Sequence, residues 1–442
     1  MIAKIIVDNK SKQVDKPFDY LVPKELEGKI KIGSRVLVPF SSGNREIEGF
    51  CVGTADTSDS KRLKSIIRTA NDSIGFDEDM LELIEWMHKK YLASYLDIIH
   101  TIVPSGTALK TKEWIILENK SEEKSEIRRR ITEILTDNGG SMEFKGLKEM
   151  CGVDIQNQVR AMIKEGTLKK EYRQSVDIKD KKIKCVKLIC DRETALESAE
   201  ILRRKAPVQA KMLEVLSENE YVSLADLQKF TNGSHSTVKA LEKKNLVNVF
   251  DMTVERDPYW NRVFEKTEKM VPTPEQEYAI DEITNSVKSG DGGIYLLHGV
   301  TGSGKTEVFM QTIENVINMG KSAIMLVPEI SLTPQMVSRF MSRFGGRVAI
   351  FHSGLSVGER YDQWKKIRDD EADIVIGARS AIFTPLKNIG VIIMDEEHSD
   401  TYKSDMSPRY HARETAIFRA SQFGAAVVLA SATPSVESYY KA

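Results

Sequence analysis

From residue 271 onward, short unbroken apolar runs alternate with stretches of helical period. The runs fall at 294–298, 323–327, 348–352, 373–376, 391–394 and 426–430. A continuous apolar run suits a strand buried on both faces, and strands alternating with helices predict a parallel α/β sheet over 271–442. The first 105 residues are patterned differently. Ile2, Ile5 to Val7, Phe18-Asp19-Tyr20-Leu21-Val22-Pro23, Arg35-Val36-Leu37-Val38-Pro39-Phe40 and Ile47 to Val52 are short β-branched or aromatic runs, divided by Gly and Pro at hairpin-like spacing. That pattern predicts a small barrel or sandwich. A helix follows, with Met80, Leu83, Ile84, Met87, Tyr91 and Leu92 on one face and Asp77 as its cap. The aromatic residues here have two readings, as core or as a platform for a nucleobase.

The middle of the chain repeats itself at an offset of roughly 80 residues. Ile131, Ile134 and Leu135 match Met212, Val215 and Leu216. Met142, Phe144, Leu147 and Met150 match Val222, Leu224, Leu227 and Phe230, and Val159, Ala161 and Met162 match Val238, Ala240 and Leu241. Each third helix ends in a basic turn and then β-prone residues. Three helices followed by a hairpin predict two tandem winged-helix-like modules, at 124–187 and 206–252. Such modules bind duplex DNA through the third helix and wing, or serve as packing and protein-interaction units, and the fold does not choose between these. The Lys-rich stretch from Lys164 to Lys187 suits phosphate contact and equally suits a solvated face. Residues 189–205 read as a helical bridge between copies, and 253–272, with Asp257-Pro258 and Val271-Pro272, as an extended connector.

Charge narrows the partners. The 442 residues carry 64 basic and 65 acidic side chains, a net charge of −1, so a nucleic-acid surface has to be a local patch. A charged fraction of 29% and a hydrophobic fraction of 41% are ordinary for a soluble protein of several domains. Cys51, Cys151, Cys185 and Cys190 are scattered without a C-x-x-C pair, which points to a reducing compartment and no structural zinc in this chain. The N-terminal apolar run is too short for a signal peptide and no run approaches a membrane span, so a cytoplasmic location and no membrane partner are expected.

The chemistry sits in the last third. Gly299-Val300-Thr301-Gly302-Ser303-Gly304-Lys305-Thr306 lies between the apolar Ile294-Tyr295-Leu296-Leu297 and the helix-periodic Val308, Phe309 and Ile313. A strand, a glycine-rich turn and a helix in this order predict a phosphate-binding loop for a nucleotide rather than a structural glycine turn. Backbone N–H groups wrap the polyphosphate, Lys305 reaches the β and γ phosphates, and the Thr306 hydroxyl takes Mg²⁺. The strand Val391-Ile392-Ile393-Met394 runs into Asp395-Glu396-Glu397-His398. There Asp395 can hold Mg²⁺ and Glu396 can polarise the attacking water. Val327-Pro-Glu-Ile, Gly377-Ala378-Arg379-Ser380 and Ser431-Ala-Thr-Pro434 also follow strands. The first two can grip a DNA backbone and the third lies on the γ-phosphate side.

Taken in order, these blocks are similar to the first motor lobe of a superfamily 2 helicase. With Phe351-His-Ser-Gly354, Tyr402-Lys403, Pro408-Arg-Tyr-His-Ala-Arg413, Pro17-Phe-Asp-Tyr20 and Gly33 to Phe40, the chain resembles the PriA family of replication-restart helicases, also called primosomal protein N′. The resemblance implies an ATP- and Mg²⁺-dependent 3′-to-5′ DNA helicase that recognises stalled forks and initiates primosome assembly. It implies a 3′-end DNA-binding domain at 1–105, with Phe18, Asp19, Gly33 and Lys64 around the terminal nucleotide. It also implies adenine contact by Gln276, DNA contact by Arg379, and an aromatic-rich loop from His398 to Arg413, with Tyr402 and Tyr410, that couples DNA to hydrolysis. The other reading of that loop is a surface excursion whose tyrosines pack on the lobe. Forked and single-stranded DNA, primosome proteins, single-stranded DNA-binding protein and a helicase loader are the implied partners. The family pattern has one winged helix, a second motor lobe with zinc-binding cysteine clusters, and an arginine completing the ATP site. Here there are two copies of the first and none of the rest, so the expectation is a fragment that binds ATP weakly and hydrolyses it poorly. The alternative is a fork-binding or loader-recruiting module without unwinding activity.

Overall fold

The computed structural model describes every residue except 10, 42–44, 61, 70–74, 104–108, 120–124, 177–180, 255, 257–266 and 268. The chain forms two compact units, Met1–Ile178 with Arg262–Ala442, and Lys179–Asn261.

The first unit begins with β1 (Ile2–Val7), β2 (Phe18–Leu21), β3 (Arg35–Phe40), β4 (Arg45–Ala55), β5 (Lys64–Ser65) and β6 (Arg68–Thr69), in the order β5-β2-β1-β4-β3-β6. The two outer strands are consecutive in the chain. The Ile66 amide donates to Leu21 of β2 and the Ile67 amide to Leu37 of β3, so one short segment closes the sheet into the expected barrel. Ile5, Tyr20, Val36, Val38, Cys51 and Ile66 fill it. On its flank lie α1 (Glu78–Tyr91) and α2 (Tyr95–Ile102); Asp77 caps α1 by accepting from the Met80 amide at 3.1 Å.

Next come β7 (Leu109–Leu117), α3 (Glu126–Asp137), β8 (Ser141–Glu143), α4 (Phe144–Cys151), α5 (Gln156–Lys164) and β9 (Leu168–Val176). The second unit repeats this order: β10 (Lys181–Leu188), α6 (Arg192–Leu202), α7 (Pro207–Ser217), β11 (Val222–Ser223), α8 (Leu224–Thr231), α9 (His235–Lys243) and β12 (Val247–Val254). The repeat extends to backbone detail, since α4 and α8 both end on a left-handed residue, Gly152 and Asn232. The hairpin expected after each third helix is not formed among the described residues. Each small sheet takes its central strand from upstream of the helices, in the orders β8-β7-β9 and β11-β10-β12. Lys181–Leu188, assigned by sequence to the first copy, therefore belongs to the second, where Val186 and Leu188 complete the apolar face that α7 to α9 cover. Residues 192–202 do not bridge copies either: Ala199 and Leu202 of α6 pack into the same core.

The remainder is the α/β lobe: α10 (Pro274–Ser289), β13 (Gly293–His298), α11 (Lys305–Asn318), β14 (Ser322–Leu326), α12 (Pro334–Phe344), β15 (Val348–Phe351), α13 (Val357–Arg368), β16 (Ile374–Gly377), β17 (Ile389–Met394), α14 (Ala412–Phe423), β18 (Ala426–Ser431) and α15 (Val436–Lys441). All six strands pair in parallel, in the order β13-β18-β17-β14-β16-β15, and each matches a predicted run to within two residues. The barrel's helices join this lobe in one apolar core. Trp86 of α1 stacks on Phe418 of α14 at 4.6 Å between ring centroids, and the Tyr91 hydroxyl donates to Glu414 at 2.8 Å.

A candidate nucleotide cleft and a candidate DNA-end pocket

Parallel strands deliver their C-terminal ends to one edge of the sheet, where the loops converge. The turn between β13 and α11 holds Lys305 at the start of the helix, and the end of β17 holds Asp395 and Glu396 beside it. Together with Thr301, Gly302, Gly304 and Thr306 they line a cleft of about 530 Å³ whose far wall includes Thr267, Met270, Met310, Arg339 and Arg343. The Lys305 ammonium donates to the carbonyls of Gly299 and Val300 at 2.6 and 3.2 Å, keeping the loop curled. Gly304 has a φ of +83°, and a Cβ there would lie 2.4 Å from the Gln276 side-chain nitrogen. No other residue fits both conditions. Gln276 closes a capping box with Thr273 at the start of α10 while its amide donates to the Ser303 carbonyl at 2.9 Å. It therefore braces the phosphate loop, a role distinct from the adenine contact expected of it.

At the acid box, burial and the adjoining Glu396 carboxylate push the Asp395 carboxyl above the usual carboxylate range, against the pull of Lys305. Glu396 adopts a left-handed φ of +47°, a strained conformation for a non-glycine residue. His398 Nδ1 lies 2.7 Å from Ser431 Oγ, joining the acid box to the last residue of β18. Lys305, Thr306, Asp395 and Glu396, read separately from sequence, thus meet in one cavity. The connector is anchored to it as well. The Met270 amide donates to Glu307 at 3.3 Å and its carbonyl accepts from Gln311 at 2.8 Å. Sequence gave no signal for that clamp, because Glu307 and Gln311 look like ordinary helix polar residues.

Arg379 reaches a second cleft of about 320 Å³, lined by Val327, Glu329, Ala378, Asp400, Thr401, Lys403 and Asp405. Its guanidinium donates to the carbonyls of Thr401 and Lys403 at 3.0 and 2.5 Å. The two loop tyrosines correct the first expectation for them. Tyr402 and Tyr410 are 1% and 3% exposed, so neither ring is presented to a base. The Tyr402 hydroxyl donates to the carbonyls of Leu326 and Asp395 at 3.0 and 2.5 Å, and Tyr410 packs edge-on against Phe383 at 4.8 Å. Burial raises both phenol pKa values. An aromatic in a polar loop reads as a platform until its hydroxyl finds buried acceptors.

In the barrel, Phe18 meets Phe40 edge to face at 5.5 Å, and Lys64 donates to the Ser41 carbonyl at 2.6 Å. Phe18 and Lys64 therefore share one end of the barrel with Phe40 and Ser41, which sequence reasoning missed. Ser41 carries a φ of +63°, and the only hint of a special turn was the Ser-Ser-Gly after Phe40. Asp19, adjacent to Phe18 on β2, accepts from the Ser58 hydroxyl at 2.5 Å on the opposite side of the strand. Gly33, also expected there, is constrained by packing. At a φ of +75° its Cβ position lies 1.7 Å from the Phe76 carbonyl oxygen, so it is a glycine of close packing between the barrel and the lead into α1.

Among the described residues no group of three or more His, Cys, Asp or Glu is placed to hold a metal ion, and no helix is long and apolar enough to cross a membrane.

Comparison with known proteins matches two parts of the chain. A family model described as the PriA 3′ DNA-binding domain matches residues 4–104, and one described as DEAD/DEAH box helicase matches 273–442. The replication restart protein PriA of Bacillus subtilis is 39% identical over 100% of this chain and 54% of its own length. That of Synechocystis is 33% identical over 99% of this chain and 52% of its own. The chain thus spans about half the length of the curated relatives it matches. Among solved structures, RecG bound to a three-way DNA junction aligns with 38% of this chain and 22% of its own at 27% identity and a TM-score of 0.30.

Proposed function

We propose, from its similarity to the replication restart protein PriA over the portion it spans, that the chain belongs to that family, recognises DNA forks and binds ATP as part of a 3′-to-5′ helicase that initiates replication restart. The observation that carries the reading is the convergence of Lys305, Thr306, Asp395 and Glu396 on one cleft at the C-terminal edge of a parallel sheet. Lys305 would exchange its loop carbonyls for the β and γ phosphates, and the loop amides from Gly299 to Thr306 would hold the rest of the chain of phosphates. The site suits Mg²⁺: a hydroxyl at Thr306 and a carboxylate at Asp395 are hard oxygen donors, and the ion would supply charge neutralisation on the phosphate oxygens. Glu396 is the acid placed to orient and deprotonate water. Gln276, beside the loop, is the residue proposed to contact adenine.

The barrel is proposed to take the 3′ end of a nascent strand at the mouth formed by Phe18 and Lys64, with Asp19 on the adjoining face and Arg379 gripping backbone further along. The two repeated modules are read as winged-helix-like contacts to duplex arms. Supporting this, α5 exposes Gln156, Asn157, Arg160 and Lys164, and α9 exposes His235, Ser236, Lys239 and Lys243 at matching positions. For the whole protein, primosome components, single-stranded DNA-binding protein and a helicase loader in the cytoplasm are the proposed partners.

The test is twofold. Calorimetric titration of the 442-residue chain with Mg-ATP is expected to show one site, and binding that Lys305→Ala leaves unweakened sinks the nucleotide reading. Fluorescent forks differing only in a free or phosphorylated 3′ end, compared at fixed salt, are expected to favour the free end; equal affinity reduces the barrel to general DNA binding.

A further inference from the structure

Two neighbouring glutamates at the end of β17 part company. Glu396, turned by its left-handed backbone, faces the cleft and is partly exposed, whereas the Glu397 side chain is buried without access to water. A buried carboxylate is retained only when its lone pairs are met. Glu397 accepts from the Ser435 amide at 2.6 Å, the Ser438 hydroxyl at 2.9 Å, the Ser435 hydroxyl at 3.3 Å and Arg413 Nη1 at 2.9 Å. Arg413 Nη1 also donates to the hydroxyls of Ser435 and Ser438 at 3.1 and 2.7 Å. The Glu397 amide donates to Ala430 of β18 at 3.0 Å. One carboxylate therefore ties together three pieces distant in sequence: the acid box, the first turn of α14, and the cap and first turn of α15.

We infer that Glu397 is a positioning residue that transmits occupancy of the nucleotide cleft to α15. Only one residue separates it from Asp395, and that residue is held in a constrained conformation, so a shift of the Asp395 carboxylate onto a bound ion is carried along the backbone with little slack. The far end of the linkage is equally stiff. The Ser435 hydroxyl accepts from the Ser438 amide at 3.3 Å as the cap of α15, and both serines are bound to Glu397, so α15 can tilt only by breaking a buried charged network. The adjacent His398–Ser431 contact joins the acid box to the end of β18, but it does not reach the helix. Glu397 is thus the direct bond from the acid box to α15.

The inference rests on the nucleotide reading above, and the experiment separates the two. Hydrogen exchange of the amides in 436–441 is followed with and without Mg-ATPγS, in the wild-type chain and in Glu397→Gln, with nucleotide affinity measured in parallel by calorimetry. In the wild type, nucleotide is expected to slow exchange of these amides at least about fivefold. In Glu397→Gln the response is expected to vanish while affinity stays within about threefold, an outcome that a merely stabilising carboxylate would not produce. Ser438→Ala, which removes one hydroxyl from the same network, is expected to at least halve the response. It decides the question if Glu397→Gln does not fold. A silent α15 in the nucleotide-bound wild type, or a full response in both variants, overturns the inference and leaves the cleft assignment intact. Absence of nucleotide binding overturns both.

Discussion

The nucleotide cleft and the barrel mouth are assembled in opposite ways. In the lobe, one strand end and the turn after it supply several functional groups at once: the turn after β13 brings Lys305 and Thr306, and the end of β17 brings Asp395 and Glu396. In the barrel, each strand contributes a single side chain, Phe18 from β2, Phe40 from β3 and Lys64 from β5, and they meet only because the sheet closes on itself. A site of the first kind depends on local backbone geometry, and one of the second kind on distant pairing. Damage to the fold should therefore reach the barrel mouth well before it reaches the cleft.

The sharpest break in that comparison is Gly33→Ala. It adds a Cβ 1.7 Å from a backbone oxygen at a φ of +75°, and is expected to cost about 3–5 kcal/mol of stability, by the sum of left-handed strain and overpacking. Chemical denaturation should show the loss together with lost 3′-end preference and retained Mg-ATP binding. Lys305→Ala should do the reverse, weakening nucleotide binding by about 2–3 kcal/mol, measured by calorimetry, with an unchanged unfolding transition. Tyr402→Phe removes a buried hydroxyl whose single proton is shared between the carbonyls of Leu326 and Asp395. It is expected to lower the stability of the lobe by about 1–2 kcal/mol and to leave affinity for single-stranded DNA unchanged; weakened DNA affinity without loss of stability would restore the ring to a DNA-binding role. The smallest effect is expected from Lys64→Ala, about 1 kcal/mol or less in the preference for a free 3′ end, with no stability change detectable by denaturation.

The same contrast explains what could be read from the chain alone. Strands buried on both faces, the glycine turn and the acid box are contiguous signals, so the lobe and four cleft residues were legible. Ser41 carries no such signal, because its importance lies in Lys64 arriving from 23 residues away. Gly33 lay inside a recognisable run and was placed in the pocket, yet its freedom from a side chain serves packing against Phe76. The repeat was legible from apolar spacing, but the hairpin inferred from it is not formed among the described residues, since spacing cannot tell which strand a sheet borrows. The two readings of Tyr402 and Tyr410 could not be separated for a related reason: the acceptor carbonyls that draw the Tyr402 hydroxyl inward, on Leu326 and Asp395, leave no mark on sequence.

The borrowed strand of the second unit has one more consequence. Because β10 and β12 run antiparallel from Lys181 opposite Val254 to Leu188 opposite Val247, the first and last strands of that sheet in chain order are neighbours across a single ladder, about 5 Å apart. A sheet that pairs its first strand with its last cannot close until the helices between them have been made, so the module folds as one piece rather than strand by strand.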